Sequence, residues 1–588
     1  MVLKSNKSFS YTQESTIVAE GYIKDEPIDG DYKPEIRNKK GASLLTVNHG
    51  LATLAFVGVE VNLVLFATRV LNQTNAEAAN TFSRWMGTVH LFSLMGAFLS
   101  DAYLGRYTTC VIFQFVFAIG LAMLSMTTSF LLLKPHGCGK LGFLCDSHSP
   151  FEITMFYLSI YLIALGNGAY EPSLATFGSD QFDEQNSQEN SSNQSFYSYF
   201  YVATNLGSLI SETVLAYIQN LGDWSLGFWV STASAGTAFL MFLSGTMRYR
   251  RFKASGNPIS RFFQVVVAAW RKSTVEIPLH DDGLFEVHGT TTTTHGARKI
   301  LHTKGFRFLD HAAVITAKDR IDDPKPNNSW CLCTVTQVEE VKSVLRLLPV
   351  WLCTLTFSGI FLQMYSLFLE QGAAMKTTVN KFHIPPASMT VFDIVSVSFF
   401  IIFYDKLIVP LYAKLTNLAP TAPSDLKKMG IGLMIASIAM VTAGIIELKR
   451  KHHCTKEVEE MSSLSLLWQI PQYVLIGAAE AFVYVGQYDF FGTEAPDGLK
   501  SLGIGLCMAS TSIGSYLCSL ILTLVMVITA KGGRKGWIPS DLNHGHLERF
   551  FFLMAGLTLV ELAVFIWFAR RYNRISLERK EGQLIETE

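Results

Sequence analysis

The sequence predicts an all-α membrane protein of twelve membrane-spanning helices in two six-helix bundles. Three observations carry this: long apolar runs recur along most of the chain, charge is scarce, and one long polar segment divides the runs six and six. Hydrophobic residues make up 49% of the 588, and charged residues only 16%. The mean hydropathy is +0.27. A bilayer core takes ~20 helical residues at ~1.5 Å each. Apolar runs of that length fall near 44–71, 80–103, 107–133, 151–178, 196–219, 226–246, 338–369, 388–415, 427–448, 463–491, 501–530 and 547–572. Length alone would point to a soluble multi-domain chain, and composition overrides it.

Residues 1–43 are polar and have no apolar core, so they read as a cytosolic tail rather than a signal peptide. The first span then serves as its own insertion signal. Residues 44–246 hold the first six runs, and 337–573 the second six. Between them, 247–336 is a polar segment rich in Lys and Arg, and 574–588 is a second polar tail. An even number of spans places both tails on one side. The basic stretches Arg37–Lys40, "MRYRRFK" and "ARRYNRISLERK" all fall there, which makes that side the cytosol by the positive-inside rule. The plasma membrane is the expected location. "ELKRKHHCTKEVEE", after the ninth run, is basic on the opposite side and runs against the trend. Within the central segment, "SRFFQVVVAAWRKS" (260–273) has helical periodicity and a basic end. It reads as an amphipathic helix, either on the membrane surface or packed as a linker.

A net charge of zero leaves no nucleic-acid footprint. The nine cysteines show no metal-ligand spacing, so neither metal nor cofactor is expected. Cys138 and Cys145 lie between the third and fourth runs, where an extracellular loop would let them pair as a disulfide. Asn72, in "NQT", is a glycosylation sequon close to the membrane. No nucleophile–base pair stands out, which argues against an enzyme.

Charges inside the apolar runs are the functional signal, because each costs ~2.5 kcal/mol or more in hydrocarbon. The candidates are Glu60, Glu171, Glu212, Glu480 and Glu561. Glu171 sits before Pro172, where a proline is expected to break the helix and open a cavity. There the carboxyl carries a proton or binds a cation; the plainer reading is a structural glutamate bonded to a hydroxyl or amide. His49, Thr53 and Glu60 share one face of the first run, with 49 and 60 about three turns apart. Asn205, Ser208 and Glu212 align on the fifth, and Gln363 and Glu370 on the seventh. Polar stripes of this kind line a solute path or simply join helices. Phe361, Met364 and Tyr365 would shape a pocket.

"GAFLSDAYLGRYTT" (96–109) resembles the signature of the major facilitator superfamily. In it Gly96 permits close helix approach, Gly105 a tight turn, and Asp101 and Arg106 pair or cap helices at the membrane edge. "ALGNGAYEPSLATFGSDQFD" (164–183), "YSYFYVATNLGSLI" (197–210), "VEEVKSVLRLLPVWLC" (338–353) and "PQYVLIGAAEAFVYVGQYDFFGTEAPDGLKS" (471–501) are similar to signatures of the proton-dependent oligopeptide transporter family. They look like those of its plant nitrate/peptide transporters in particular. The similarity covers roughly residues 40–575, and "QGAAMKT" resembles the branch with xylem nitrate transporters. The resemblance implies a major facilitator fold with a solute site between the bundles, no cofactor, and a small solute and protons as partners.

The departures matter. The family's first-span motif of two glutamates and an arginine falls on His49, Ala52 and Thr53. Its fourth-span lysine falls on Glu171, and a seventh-span histidine of some nitrate carriers on Phe361. Glu480 matches a glutamate that the family retains. Thr109 resembles a family phosphorylation position, which implies a regulatory kinase. The expected function is secondary transport by alternating access, with nitrate as solute, coupled to or dependent on protons and of low affinity. The expected solute path comprises Glu171, Glu480, Thr53, His49, Glu60, Asn205, Phe361 and Gln363. The alternatives are a proton/potassium antiporter, an organic-acid or hormone carrier, and a nutrient sensor without net transport.

Overall fold

The computed structural model describes residues 34–135, 138–140, 145–182, 187–250, 258–277, 284–285, 302–316, 330–379, 382–408, 410–411, 414, 425–454, 462–494 and 500–572. Its first helical run is Pro34–Glu60, continued by Leu63–Arg69 after a break. The second is Asn75–Leu99, the third Arg106–Thr127, the fourth Pro150–Ser179, the fifth Ser187–Ile210 and the sixth Trp224–Ser244. The seventh comes in three pieces, Val335–Leu352, Leu355–Phe361 and Leu367–Ala373. A short antiparallel hairpin, β1 (Thr378–Val379) and β2 (Phe382–His383), leads to the eighth, Val391–Phe403. Asp425–His452, Ile470–Glu494, Lys500–Thr529 and Leu547–Arg571 complete the set.

Among the described residues, nine runs are long and apolar enough to cross a membrane, or ten with the bent start of the seventh counted as one. The second and fifth are as long, at 25 and 24 residues. Asn80, Arg84 and His90 on the one, and Asn205 and Ser208 on the other, lower their hydropathy. The second helix packs against the eleventh, in the opposite half, where Asn80 and Arg84 find Thr523 and Ser519 as partners, while the fifth packs mainly on the first. Helix starts are set locally. Thr74 with Glu77, Ser149 with Glu152, and Thr334 with Gln337 form reciprocal capping boxes that satisfy the first free N–H groups.

Two separate cores result. One gathers Phe66, Phe82, Trp85, Phe117, Trp224 and Phe228, all from the first six helices. The other gathers Phe357, Phe368, Tyr473, Phe550 and Phe551 from the last six. Leu362 and Leu369 cross into the first core, Ala76 and Ala79 into the second, and Tyr365 packs on both. The seam between the halves therefore runs past Tyr365. Gly96 lets the second and fourth helices touch, since a Cβ there would lie 2.3 Å from the Ala169 Cα. Gly105 has φ 74°, the conformation that suits glycine, and turns the chain between the second and third helices.

The central segment is built onto the second half. Helix Pro258–Arg271 presses Val265, Ala268 and Ala269 onto Leu309, Ala312 and Ala313, and onto Val338, Val341 and Val344 of the seventh helix. This face packs against protein, while Phe263, Val266 and Trp270 of the same helix are exposed. Beside it, buried Lys342 lies 2.6 Å from the Asp310 carboxylate and 2.7 Å from that of Glu339. Glu339 also accepts the Thr303 N–H at 2.9 Å and its hydroxyl at 2.6 Å.

Candidate functional site

Five carboxylates from five helices converge on the seam: Glu60, Glu171, Glu212, Asp393 and Glu480. Glu60 ends the first piece of the first helix, and the charges of Glu212 and Glu171 act on it. Glu212, in the π-helical turn Ser211–Leu215 that continues the fifth helix, is placed against Thr390 at the start of the eighth. Asp393 and Glu480 lie side by side across the eighth and tenth helices, close enough for each to act on the other. The charges of Glu212, Glu60, Asp393 and Glu480 all reach Tyr365, which places its hydroxyl among them. Ser388 donates at 2.7 Å to the Glu212 carbonyl and adds a second tie between the fifth and eighth helices.

Glu171 stands slightly apart. It accepts from Asn167 at 3.3 Å, is exposed, and its charge reaches Tyr488 of the tenth helix. The expected break at Pro172 is not there, because the helix runs unbroken from Pro150 to Ser179. Proline forgoes one hydrogen bond, and close packing of the preceding turn against the second and third helices holds the backbone: a Cβ at Gly166 would meet the Phe117 backbone. The breaks fall instead after Glu60 and after Leu352 and Phe361. Glu561 accepts the Thr356 N–H at 3.0 Å, a donor freed by the second of these breaks.

Other expected residues lie elsewhere. His49 is buried, stacks on Phe200 at 3.8 Å and contacts the Thr204 hydroxyl at 2.8 Å. Thr53 donates to the His49 carbonyl at 2.9 Å, so its hydroxyl is spent on its own helix. Asn205 and Ser208 are half-buried on the fifth helix. Gln363 donates to the Cys518 sulfur at 2.9 Å, joining the seventh and eleventh helices. Phe361 meets Tyr365 and Tyr484 edge-on, at 6.0 and 5.5 Å. In the signature loop, Arg106 pairs with Asp180 at the end of the fourth helix; the Asp101 side chain lies outside the described residues. Thr109 is buried and donates to the Gly105 carbonyl at 3.0 Å. Cys138 and Cys145 are joined by a disulfide, and Asn72 donates to the Cys145 carbonyl at 3.2 Å.

A polar latch closes the seam at the end where the first helix finishes. Arg69 donates to the Asn220 amide oxygen at 3.0 Å, and the Asn220 amide nitrogen lies 2.7 Å from His383 Nε2. His383 Nδ1 lies 3.0 Å from Thr377, and Thr68 lies 3.4 Å from Glu370. Arginine can only donate, so Asn220 must turn its NH2 toward His383, and Nε2 must accept. The latch therefore needs a neutral ring. Burial, then the Arg69 charge, both hold the imidazole below its ordinary value.

Sequence reading missed Asp393, the latch and the halves' crossing at Tyr365. The signal for Asp393 was present, a lone carboxylate in "TVFDIVSVSFFIIF".

Residues 107–538 match the POT family (PTR2). The chain is 52% identical to the protein NRT1/PTR FAMILY 7.3 of Arabidopsis thaliana, over 95% of this chain and 93% of that one. It is 51% identical to NRT1/PTR FAMILY 7.2 of the same plant, over 96% and 97%. Among solved structures it resembles the POT family transporter PepTSo, with a TM-score of 0.67 at 19% identity over 90% of this chain and 98% of that one. An auto-inhibited POT family peptide transporter scores 0.66 at 19% identity, over 91% and 98%. Two cores divided by an acid-lined seam and a match over most of the length lead to one conclusion: the chain belongs to the POT family, and is a multi-pass membrane transporter with the major facilitator fold rather than an enzyme.

Proposed function

We propose that the chain carries nitrate together with protons by alternating access, in the plasma membrane with both termini in the cytosol. The carrying observation is the cluster of five carboxylates: among the described residues, no lysine or arginine is among the charges that act on Glu60, Glu171, Glu212, Asp393 or Glu480. An anion entering a chamber of ionised acids is repelled. The same chamber with its carboxyls protonated offers O–H donors beside the Tyr365 hydroxyl. Protons must then load before the anion and leave before or with it, which drives both in one direction. A membrane potential of ~100 mV works against an anion by ~2.3 kcal/mol per charge; one proton per nitrate cancels that cost and leaves the pH gradient as the driving force, and a second adds the potential to it. The latched end and the exposed Glu171 fit a seam closed outside and open to the cytosol.

A second reading rests on the same absence of basic partners. Ionised carboxylates suit a small cation such as potassium, which would exchange for protons. The two readings differ in sign. Flux of labelled nitrate and of rubidium into vesicles holding the purified protein, at several pH values, separates them. Nitrate affinity that rises as pH falls supports symport. Rubidium affinity that falls with pH, without nitrate flux, replaces it with antiport. Saturable binding with no net flux of either ion would instead favour a sensor.

A further inference from the structure

The second helix presents an arginine to the outer face of the bundle. Phe82 points inward to Tyr365 at 6.2 Å, and the Trp85 ring N–H donates to the Ile160 carbonyl of the fourth helix at 2.8 Å. A Cβ on Gly87 would lie 3.0 Å from the Tyr516 ring of the eleventh helix. Arg84 and Thr88, one turn apart, fall between these two contacts and away from the seam's interior. They line a crevice with Tyr161 of the fourth helix and with Tyr516, Ser519, Leu520 and Thr523 of the eleventh. Leu520 and Leu524, 54% and 50% exposed, continue the same outer face as apolar surface. The crevice thus opens to the bilayer and is floored by both halves.

Its chemistry is that of an oxyanion site. Arg84 Nε donates to the Ser519 hydroxyl at 3.1 Å, while its two terminal amino groups meet no acceptor among the described residues. Thr88 and Tyr516 share a hydrogen bond at 2.7 Å, and the Tyr161 hydroxyl has none among the described residues. A guanidinium at membrane depth with its amino groups unanswered is unfavourable unless something supplies oxygens. Arg84 is nine residues past Asn75, ~14 Å along the helix at ~1.5 Å each. Side chains lean toward a helix N-terminus and a long arginine snorkels the same way. Both bring the head toward the nearer leaflet surface, and Thr523 lies in that direction on the eleventh helix.

We propose that this crevice binds the phosphate of a phospholipid headgroup, with Arg84 as the anchoring cation and Tyr161 as a second donor. Acyl chains would run over Leu520 and Leu524. Because the crevice takes residues from both halves, the bound lipid joins them on the outer side of the seam.

The test uses the purified full-length protein in detergent. Phosphatidylglycerol is titrated while the melting temperature is followed, and retained phospholipid is counted by native mass spectrometry. Diacylglycerol and inorganic phosphate are titrated in parallel. The expected result is a melting-temperature rise with phosphatidylglycerol alone. Arg84→Gln should weaken apparent affinity by about tenfold or more, as loss of a charge-assisted pair predicts. If Arg84→Gln does not fold, Tyr161→Phe, which removes one hydroxyl, should still weaken it by a few-fold. Equal lipid retention and equal shifts in wild type and variants would overturn the proposal. An equal response to inorganic phosphate would also overturn it, since the ligand would then be a free oxyanion.

Discussion

Two of the buried sets of carboxylates in this protein are treated in opposite ways. On the ninth helix, Glu447 and Arg450 are both fully buried, with Arg450 2.9 and 2.8 Å from the two carboxylate oxygens. Gln371 donates to Glu447 at 3.0 Å, Arg450 donates to Asn543 at 2.7 Å, and Gln469 and Gln472 close the network through Gln371. At the seam, Glu60, Glu212, Asp393 and Glu480 face one another and a tyrosine, without a base among them. A buried charge with every lone pair answered holds helices in place. Buried acids answered only by other acids can change protonation, and that change is available for transport.

The largest expected effect tests the first half of this contrast. Arg450→Met leaves Glu447 ionised without its partner, which costs on the order of 3–5 kcal/mol. The variant should fail to accumulate as folded protein, measured by surface labelling and melting temperature. Normal accumulation would mean that the two regions do not differ in kind. Glu480→Gln should do the reverse, leaving surface protein intact while uptake falls by about tenfold or more, equivalent to ~1.4 kcal/mol. Wild-type uptake would remove Glu480 from the path.

The sequence showed the seam acids because a carboxylate inside an apolar run is conspicuous, as at Glu60, Glu171, Glu212 and Glu480. It hid the ninth-helix network, because "ELKRKHH" reads as a basic loop. The helix extends to His452 and absorbs that charge: Arg450 goes to Glu447, and Lys451 donates to the Gly545 carbonyl at 2.7 Å. The breaks in the first and seventh helices were equally hidden. They lie at "GVEVN", "LCTL" and "FLQMYS"; the first includes Gly58 and the second follows Pro349 by a few residues, but glycine and proline are common in membrane helices and do not by themselves mark a break. Pro172, the proline singled out in the sequence, does not interrupt its helix.

Two smaller effects refine the comparison. Glu171 is exposed, so Glu171→Gln should leave expression unchanged and keep maximal flux within about threefold. Its effect should appear in the pH profile, measured by uptake at fixed solute; an unchanged profile would exclude Glu171 as a proton carrier. The latch provides the last test. Its neutral His383 is favoured by the closed seam, whereas a ring released from Arg69 titrates near ~6.5. Closure is therefore complete above that value and weakens as pH falls through it. His383→Gln keeps an acceptor for Asn220 and removes the titration. The labelling rate of Thr68→Cys should rise in acid only when His383 is present, and an acid-dependent rise in both backgrounds would place the sensor elsewhere.

The knot of Lys342, Asp310 and Glu339 has a mechanical consequence. It clamps the connecting segment to the seventh helix, so the segment is a passenger of one bundle and not a spring between the two. Removing the Lys342 charge should therefore loosen the described part of the connecting segment from its bundle without touching any residue placed along the acid-lined seam.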